Sequence, residues 1–221
     1  MSAIEAVIFD YGGVLSTAPF EWLRHFEAAM GYPEKSVSRL LFGSSTHPTD
    51  DNGEAVEADW QLLETGRLSL ADFHHGVVAR SAEVLGAPLD LGSWQEYLRA
   101  WSLGIHWMVI HRVRELRAEG YGTAILTNNV AEWGPGWRAT IPLELFDVVI
   151  DSSEVGLRKP DPAIFRLTCE RLGVAPEAAV FLDDSPSNVN AAREVGLHGI
   201  VVSDPVDALA ELERILEGAP R

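Results

Sequence analysis

The sequence has little cysteine, few basic residues and no long apolar run, and each shortage excludes a class of protein. Its 221 residues include a single cysteine, Cys169, so no disulfide can form within the chain and we expect a cytoplasmic location. Only 17 Lys and Arg stand against 33 Asp and Glu, and the formal charge of -16 opposes binding to nucleic acid or to anionic membranes. No stretch has the length of a transmembrane span, and the N-terminus lacks a basic region followed by an apolar core, so we expect neither a membrane anchor nor export. These shortages favour an enzyme that acts on a small molecule.

The composition is that of a chain with a sizeable core. Hydrophobic residues make up 47% of the chain, enough for one α/β domain with an insertion. Short apolar runs alternate with amphipathic segments, which is typical of parallel strands joined by crossover helices. We therefore predict an α/β fold with a Rossmann-like, doubly wound, mostly parallel sheet. The expected strands are at about 4–10, 122–127, 147–150, 179–183 and 199–202, and the expected helices at about 107–119, 161–173, 187–196 and 205–217.

Residues from about 16 to 104 break this alternation, because helical patterns and turn residues occur there without a convincing strand. We predict that they form a helical cap inserted into a core domain made of residues 1–15 and 105–221. Segment 44–53, SSTHPTDDNG, is polar and rich in helix breakers, which suits either a flexible connection facing the cleft or an ordinary surface loop. In the turn Glu64-Thr65-Gly66-Arg67-Leu68-Ser69, we expect Ser69 to cap the next helix and expect no catalytic role for Glu64.

Asp10 ends the apolar run Ala6-Val7-Ile8-Phe9 and precedes a turn made tight by two glycines. Because open α/β sheets bind ligands beyond the carboxyl ends of their strands, this carboxylate occupies an active-site position. Polar residues follow at three further strand or loop ends, namely Thr127 and Asn128 after the strand at 122–127, Lys159 on the loop Arg158-Lys159-Pro160-Asp161-Pro162, and Asp183 and Asp184 after the strand at 179–183.

Each of these residues alone has an ordinary explanation as a turn residue, a helix cap or a solvated surface charge. The pair Asp183-Asp184 is harder to explain in that way, since two adjacent carboxylates repel each other unless a cation or a proton lies between them. Four such features in a fixed order, each at a strand or loop end, favour one shared site.

Taken in order, these segments resemble the four motifs of the haloacid dehalogenase-like (HAD) superfamily, and the resemblance covers about the whole chain. Most members are phosphatases with an aspartate nucleophile and Mg²⁺, and many carry a cap between the first and second motifs. The resemblance implies that Asp10 attacks phosphorus and forms an aspartyl-phosphate. It also implies that Thr127 and the amide of Asn128 hold the phosphate, and that Lys159 offsets the charge of Asp10 and phosphate together.

The metal site that the resemblance implies consists of Asp10, the backbone carbonyl of Gly12 and Asp184, with Asp183 beside them as a ligand or a neighbour of the ligands. Asn188 is expected either to orient these ligands or to cap a helix. The implied substrate is a small phosphorylated metabolite, and we expect a monomer or a homodimer.

Gly12 departs from the superfamily pattern, because most of its phosphatases have a second aspartate there that protonates the leaving group and later deprotonates water. General acid–base help contributes about 10²–10⁴-fold to a rate, so its loss matters. One alternative is a phosphatase that uses a good leaving group or takes an acid from cap segment 44–59; bacterial glucose-1-phosphate phosphatases of the superfamily also have glycine at this position.

A second alternative is a 2-haloacid dehalogenase, which also lacks that aspartate. Such enzymes usually have tyrosine in place of Gly12 and need no metal, so they lack an acidic pair like Asp183-Asp184. The third alternative is a HAD-fold protein with little catalysis that binds a phosphorylated ligand, Mg²⁺ or a partner.

The segment Trp133-Gly134-Pro135-Gly136-Trp137 follows the second motif by a few residues. On a loop near the phosphate, it is expected to line the substrate pocket or an oligomer interface, or to pack against the core.

Overall fold

The computed structural model describes residues 3–18, 21–42, 58–90 and 104–218. The polar cap segment 44–53 and most of 44–59 therefore lie outside the described residues.

Five strands form one parallel sheet in the order β3-β2-β1-β4-β5. The strands are β1 (Ala6–Phe9), β2 (Gly122–Thr127), β3 (Val148–Asp151), β4 (Ala179–Asp183) and β5 (His198–Val201). All five predicted strands are confirmed, with ends that differ by a residue or two. The central position belongs to β1, where Phe9 pairs with Ile125 on one side and with Leu182 on the other.

The helices of the described residues fall into two groups. Those before β2 are α1 (Glu21–Met30), α2 (Ser36–Phe42), α3 (Asp59–Glu64), α4 (Leu70–Leu85) and α5 (Trp107–Ala118). Those after it are α6 (Gly134–Arg138), α7 (Ser152–Val155), α8 (Pro162–Leu172), α9 (Pro186–Val195) and α10 (Pro205–Gly218). The four helices predicted after residue 104 are confirmed. Within the described residues, no helix combines the length and apolarity that a membrane crossing requires.

Both faces of the sheet are covered, which explains why its strands are apolar throughout. Val7 and Phe9 point to the face that carries α5 and α10, whereas Ile8 points to the face that carries α8 and α9. Because successive side chains of a strand point to opposite faces, a strand buried on both sides needs an apolar residue at every position. The polar residues are consequently confined to the strand ends.

Helices α1 to α4 pack around a separate apolar cluster that includes Phe26, Leu41, Leu63 and Phe73. The predicted cap of α4 is present, since the Ser69 hydroxyl accepts a hydrogen bond from the backbone N–H of Asp72. In the described part of this region no strand occurs. The chain then returns to the sheet with α5, which packs against one of its faces.

Candidate active site

Asp10 follows the central strand and is held by its own turn. Its backbone N–H donates to the carbonyl of Leu182 at 2.9 Å, which continues the pairing with β4 past the strand end. Its side-chain Oδ1 accepts from the backbone N–H of Tyr11 at 2.7 Å and lies 2.9 Å from the Lys159 ammonium. Oδ2 has no hydrogen-bond donor in the described part of the chain. Asp10 therefore sits between the carboxyl ends of β2 and β4, with one oxygen fixed and one facing the cleft.

Lys159 is the cation that joins the motifs. Its Nζ lies 2.9 Å from Asp10 Oδ1 and 2.6 Å from Asp183 Oδ2, and it donates to the carbonyl of Leu126 at 2.9 Å. The side chain is 1% exposed. Burial disfavours the charged ammonium, but Asp10 and Asp183 outweigh burial, so the pKa of Lys159 lies above its ordinary value. Lys159 is thus a buried and fixed positive charge, and not a solvated lysine on the surface.

Asp183 is fully buried, and its two oxygens are occupied by neighbours. Oδ2 accepts from Lys159, and Oδ1 accepts from the backbone N–H of Ser185 at 2.8 Å. The amide of Asn188 donates to both oxygens, at 3.0 and 3.2 Å. Asn188, in the first turn of α9, therefore orients a carboxylate, which is one of the two roles expected for it. Asp183 holds Lys159 in place.

Asp184 is the exposed member of a group of three carboxylates. One oxygen from each of Asp10, Asp183 and Asp184 lies within 4.8 Å of the others. These three negative charges have one ammonium, Lys159, among them, and burial together with Asp183 raises the pKa of Asp184. A divalent cation would balance the remaining charge, and carboxylate oxygens are the ligands that Mg²⁺ prefers. The residues present thus fit a hard divalent metal.

The turn after β1 brings Asp184 close to the backbone. Gly13 has a φ of 78°, and an added Cβ there would overlap the Asp184 carboxyl group, with Cβ of Asp184 at 2.8 Å. Gly12 is not among the described residues with positive φ. The requirement for glycine in this turn, both conformational and steric, therefore falls on Gly13.

The second motif is attached to the third by Asn128. Its side-chain Oδ1 accepts from the backbone N–H of Lys159 at 2.8 Å, and its Nδ2 donates to the carbonyl of Lys159 at 3.0 Å. Thr127, the last residue of β2, is 4% exposed and lines the same cleft as Asp10. The four sequence motifs therefore meet at one end of the sheet.

Burial is the largest of the effects that raise the pKa of Asp10 above its ordinary range. Asp183 and Asp184 raise it further, and Lys159 opposes them. A bound divalent cation would favour the ionised carboxylate, which is the nucleophilic form.

A cleft of about 760 Å³ opens above these groups, and much of its wall is aromatic. Tyr11 and Trp137 pack against each other with ring centroids 5.0 Å apart, and Trp60 and Trp133 with centroids 6.2 Å apart. Trp133 and Trp137 thus line the cleft, as one of the expectations for this segment had it. Trp60 was not predicted from the sequence, because nothing in the local pattern of α3 shows that it lines this cleft.

Glu64, at the end of α3, also reaches this wall. Its carboxylate accepts from the Arg158 guanidinium at 2.8 Å, and its backbone carbonyl accepts from the Ser152 hydroxyl at 2.6 Å. Burial raises the pKa of Glu64, and Arg158 opposes that shift. From the sequence, Glu64 is expected only to belong to a turn. Its contact with Arg158, the residue before Lys159, is seen only in the folded chain.

A family model described as haloacid dehalogenase-like hydrolase matches residues 4–196. The chain belongs to this family. The resemblance read from the four motifs is confirmed, and so is the assignment of a hydrolase. The match extends from β1 to α9 and includes every residue of the site.

Among curated proteins, the chain is 38% identical over 225 residues to mouse bifunctional epoxide hydrolase 2. That alignment covers 96% of this chain and 39% of the relative. The chain is also 31% identical to mouse acyl-CoA dehydrogenase family member 10, in an alignment that covers 96% of this chain and 19% of the relative. The chain thus spans between about a fifth and two fifths of these longer proteins. A phosphatase from Mycobacterium tuberculosis is 27% identical, with 98% of this chain and 99% of the relative covered.

Solved structures of the family share the fold. A HAD family enzyme from Bacteroides thetaiotaomicron, in complex with magnesium and inorganic phosphate, has a TM-score of 0.64 at 20% identity and covers 90% of this chain and 94% of its own. A dehalogenase matches with the same TM-score at 19% identity, over 92% of this chain and 86% of its own. At these identities the likeness extends to the fold alone.

Proposed function

We propose that this chain is a Mg²⁺-dependent phosphatase that hydrolyses a small phosphorylated metabolite through an aspartyl-phosphate. The observation that carries the proposal is that the Lys159 ammonium lies between the carboxylates of Asp10 and Asp183. Asp184 lies close enough to both carboxylates for the three to hold a metal ion. Phosphoryl transfer depends on an in-line nucleophile and on fixed positive charge around the phosphate oxygens. These residues supply both at the end of the sheet where α/β folds bind ligands.

In the first step, a carboxylate oxygen of Asp10 attacks phosphorus, and the bond from phosphorus to the leaving-group oxygen breaks. The hydrogen bond from Tyr11 and the ion pair with Lys159 fix the orientation of this carboxylate. Lys159 stays charged throughout, because two carboxylates stabilise its ammonium. It therefore lowers the repulsion between an anionic nucleophile and an anionic phosphate.

Asp10, Asp184 and the carbonyl of Gly12 would hold Mg²⁺, which when bound would supply positive charge beside the phosphate. Asp183 acts indirectly, through Lys159. Asn188 and the backbone N–H of Ser185 orient the Asp183 carboxylate, and this carboxylate orients the Lys159 ammonium. Its occupied oxygens favour this role over direct ligation.

Thr127 and the backbone N–H of Asn128 would hold the phosphate. The Asn128 side chain is already bonded to the backbone of Lys159, so only its main chain is left for the substrate. Phosphate thus sits between the end of β2 and the Lys159 loop.

In the second step, water attacks phosphorus of the aspartyl-phosphate, the bond from phosphorus to the Asp10 oxygen breaks, and the proton of the water passes to the released phosphate or to solvent. A second aspartate would act as acid in the first step and as base in this one, and Gly12 has no side chain for either task. We propose that good leaving groups offset this loss, since their oxygen departs without a proton.

Names of relatives support a phosphatase: the M. tuberculosis protein is one, and a phosphoserine phosphatase from Thermus thermophilus is 38% identical over 40% of this chain. The longer relatives carry other activities in their names, and this chain covers too little of them to inherit those. The carboxylate cluster argues against the dehalogenase alternative, which has no use for a metal site.

We further propose that residues 16–104 act as a cap over a core of 1–15 and 105–221. Its support is the separate apolar cluster of α1 to α4 and the placement of Trp60 and Glu64 on the cleft wall. The lone, buried Cys169 supports a cytoplasmic location.

Replacing the nucleophile tests the function. Asp10→Asn should abolish hydrolysis of 4-nitrophenyl phosphate in saturating Mg²⁺, with an unchanged circular dichroism spectrum. Asp204→Asn, which alters a helix cap outside the cleft lining, is the matched control and should keep the wild-type rate. Equal rates for wild type and Asp10→Asn would overturn the mechanism, and chloride release from a 2-haloacid in the presence of a chelator would indicate a dehalogenase.

A further inference from the structure

We propose that the leaving group of the substrate is an uncharged apolar body, such as an alkyl-substituted aryl group, and that the transferred phosphate is the only anionic group of the substrate. The proposal rests on the phosphatase function above and names the class of molecule that its cleft accepts. Three features of the cleft support it: its aromatic side chains, the charges of its lining residues, and the hydrogen bonds that its polar side chains already form within the protein.

Two aromatic pairs line the space beyond Asp10. Tyr11 and Trp137 form the first pair, and both are largely buried. Trp60 and Trp133 form the second pair, and Trp133 keeps 38% of its surface exposed. A cleft of about 760 Å³ lies within the range that encloses a drug-sized ligand. An apolar body of that size would remove these aromatic faces from water and gain stability in proportion to the area buried.

The charges along the walls exclude a second anion. Among the described residues that line the cleft, Lys159 is the only Lys or Arg, and it already pairs with Asp10 and Asp183. Glu132 adds negative charge to the same walls, whereas Glu64 is paired with Arg158 at 2.8 Å. A carboxylate or second phosphate on the leaving group would therefore lose its hydration without gaining a cation.

The polar side chains of the walls are already bonded within the protein, which disfavours a leaving group with many hydroxyls. The Asn129 amide donates to Asp151 at 2.8 Å. The Thr140 hydroxyl donates to the carbonyl of Trp137 at 2.6 Å and accepts from the Tyr11 hydroxyl at 2.8 Å. A sugar in this cleft would leave hydroxyls without partners, and each unpaired group weakens binding.

A series of 4-alkylphenyl phosphates tests the proposal, because the alkyl chain lengthens while the leaving-group pKa stays nearly constant. From phenyl to 4-butylphenyl phosphate, kcat/KM should rise by about fourfold for each methylene group that enters the cleft. A phenyl phosphate with a carboxyethyl chain in the para position has similar size but carries an anion. We expect its kcat/KM to be at least tenfold below that of the 4-butyl compound.

Substitution of the exposed wall residue makes the test specific. Trp133→Ala should flatten the alkyl series, so that kcat/KM falls more for 4-butylphenyl phosphate than for phenyl phosphate, and Trp133→Phe should restore part of the slope. Trp107→Ala removes a tryptophan that is 61% exposed on α5 and lies outside the cleft lining, and this control should keep the wild-type slope.

The outcomes separate the two proposals. If wild type fails to hydrolyse even 4-nitrophenyl phosphate, the phosphatase function is wrong. If it hydrolyses phenyl phosphate but the alkyl series is flat, or the carboxyethyl compound equals the butyl compound, the function stands and the apolar-substrate proposal is overturned. An unchanged slope in Trp133→Ala would also overturn it, because the wall would then not contact the leaving group.

Discussion

The side chain of Asn128 forms two hydrogen bonds with the backbone of Lys159, accepting from its N–H at 2.8 Å and donating to its carbonyl at 3.0 Å. This pair attaches the end of β2 to the loop that delivers the only buried ammonium of the described site. Asn128 thus acts on the chemistry through the position of another residue. Its side chain is as much a part of the site as the charged groups.

Asn128→Ala should therefore lower both stability and activity. Losing the two hydrogen bonds, and leaving a backbone N–H and carbonyl unpaired, should reduce the free energy of unfolding by about 1–3 kcal/mol. A small displacement of Lys159 should reduce kcat for an aryl phosphate on the order of 10–100-fold. Urea unfolding and steady-state kinetics measure the two effects, with exposed Asn190→Ala as the control. Wild-type kcat in Asn128→Ala would contradict the positioning role.

Asp184→Asn should stabilise the metal-free protein at neutral pH. The pKa of Asp184 is raised in the folded state by burial and by Asp183, so the unfolded chain loses the proton first as pH rises. The charged group therefore destabilises the folded state above that raised pKa, and the effect vanishes below the ordinary value of 3.8. The variant should melt at a higher temperature than wild type in a chelator at pH 7, with no difference near pH 3.5.

Added Mg²⁺ should reverse this order. Wild type should gain thermal stability with increasing Mg²⁺, because the ion binds only the folded site, and Asp184→Asn should gain much less. Glu170→Gln removes one negative charge from the exposed face of α8 and controls for the general effect of net charge. An equal Mg²⁺ response in Asp184→Asn would exclude this carboxylate as a ligand.

Wild type should show a steep dependence of turnover on leaving-group pKa, because Gly12 supplies no proton to the departing oxygen. Aryl or acyl phosphates should be turned over faster than simple alkyl phosphates. Gly12→Asp should flatten this dependence, since the positive φ of the turn belongs to Gly13 and a side chain at residue 12 meets no such conformational penalty. Rates over a graded series of phosphate esters measure both forms.

Gly13→Ala provides the contrast at the adjacent position, where a Cβ would overlap the Asp184 carboxyl group and φ is 78°. That variant should lose stability and Mg²⁺ binding together. A flat series for wild type would indicate that another carboxylate already protonates the leaving group; Glu64 and Glu132 are two that line the cleft.

The Glu64–Arg158 ion pair should couple α3 to the Lys159 loop energetically. Its Oε2 to Nε distance is 2.8 Å, and the side chains are 8% and 23% exposed. A double-mutant cycle with Glu64→Gln and Arg158→Gln, followed by urea unfolding, should give a coupling energy of about 1–3 kcal/mol. The Arg80–Asp59 pair has the same distance but is 47% and 41% exposed, and it should give less than about 1 kcal/mol. Equal coupling in both pairs would mean that burial of Glu64 adds nothing.

The sequence by itself determined the five strands, the four longer helices after residue 104 and the positions of the four motifs along the chain, but not the short helices α6 and α7. It could do so because a strand buried on both faces must be apolar along its length, so that a polar residue such as Asp10 or Asp183 marks a strand end. In a parallel sheet the carboxyl ends lie on one edge, and the polar residues that follow the strands therefore meet there. Local pattern and sheet geometry together were sufficient for this part.

Only the tertiary structure decided how the motif residues divide their work and which other residues face them. Asp183 and Asp184 are adjacent in the sequence, yet one is fully buried against Lys159 and the other is exposed. Glu64 and Trp60 come to the cleft from α3, and Glu64 pairs with a residue 94 positions away. Such contacts depend on how separate elements pack, which no local periodicity encodes. The packing, and not the motif, made Asn128 a support for Lys159 and made the cleft wall aromatic.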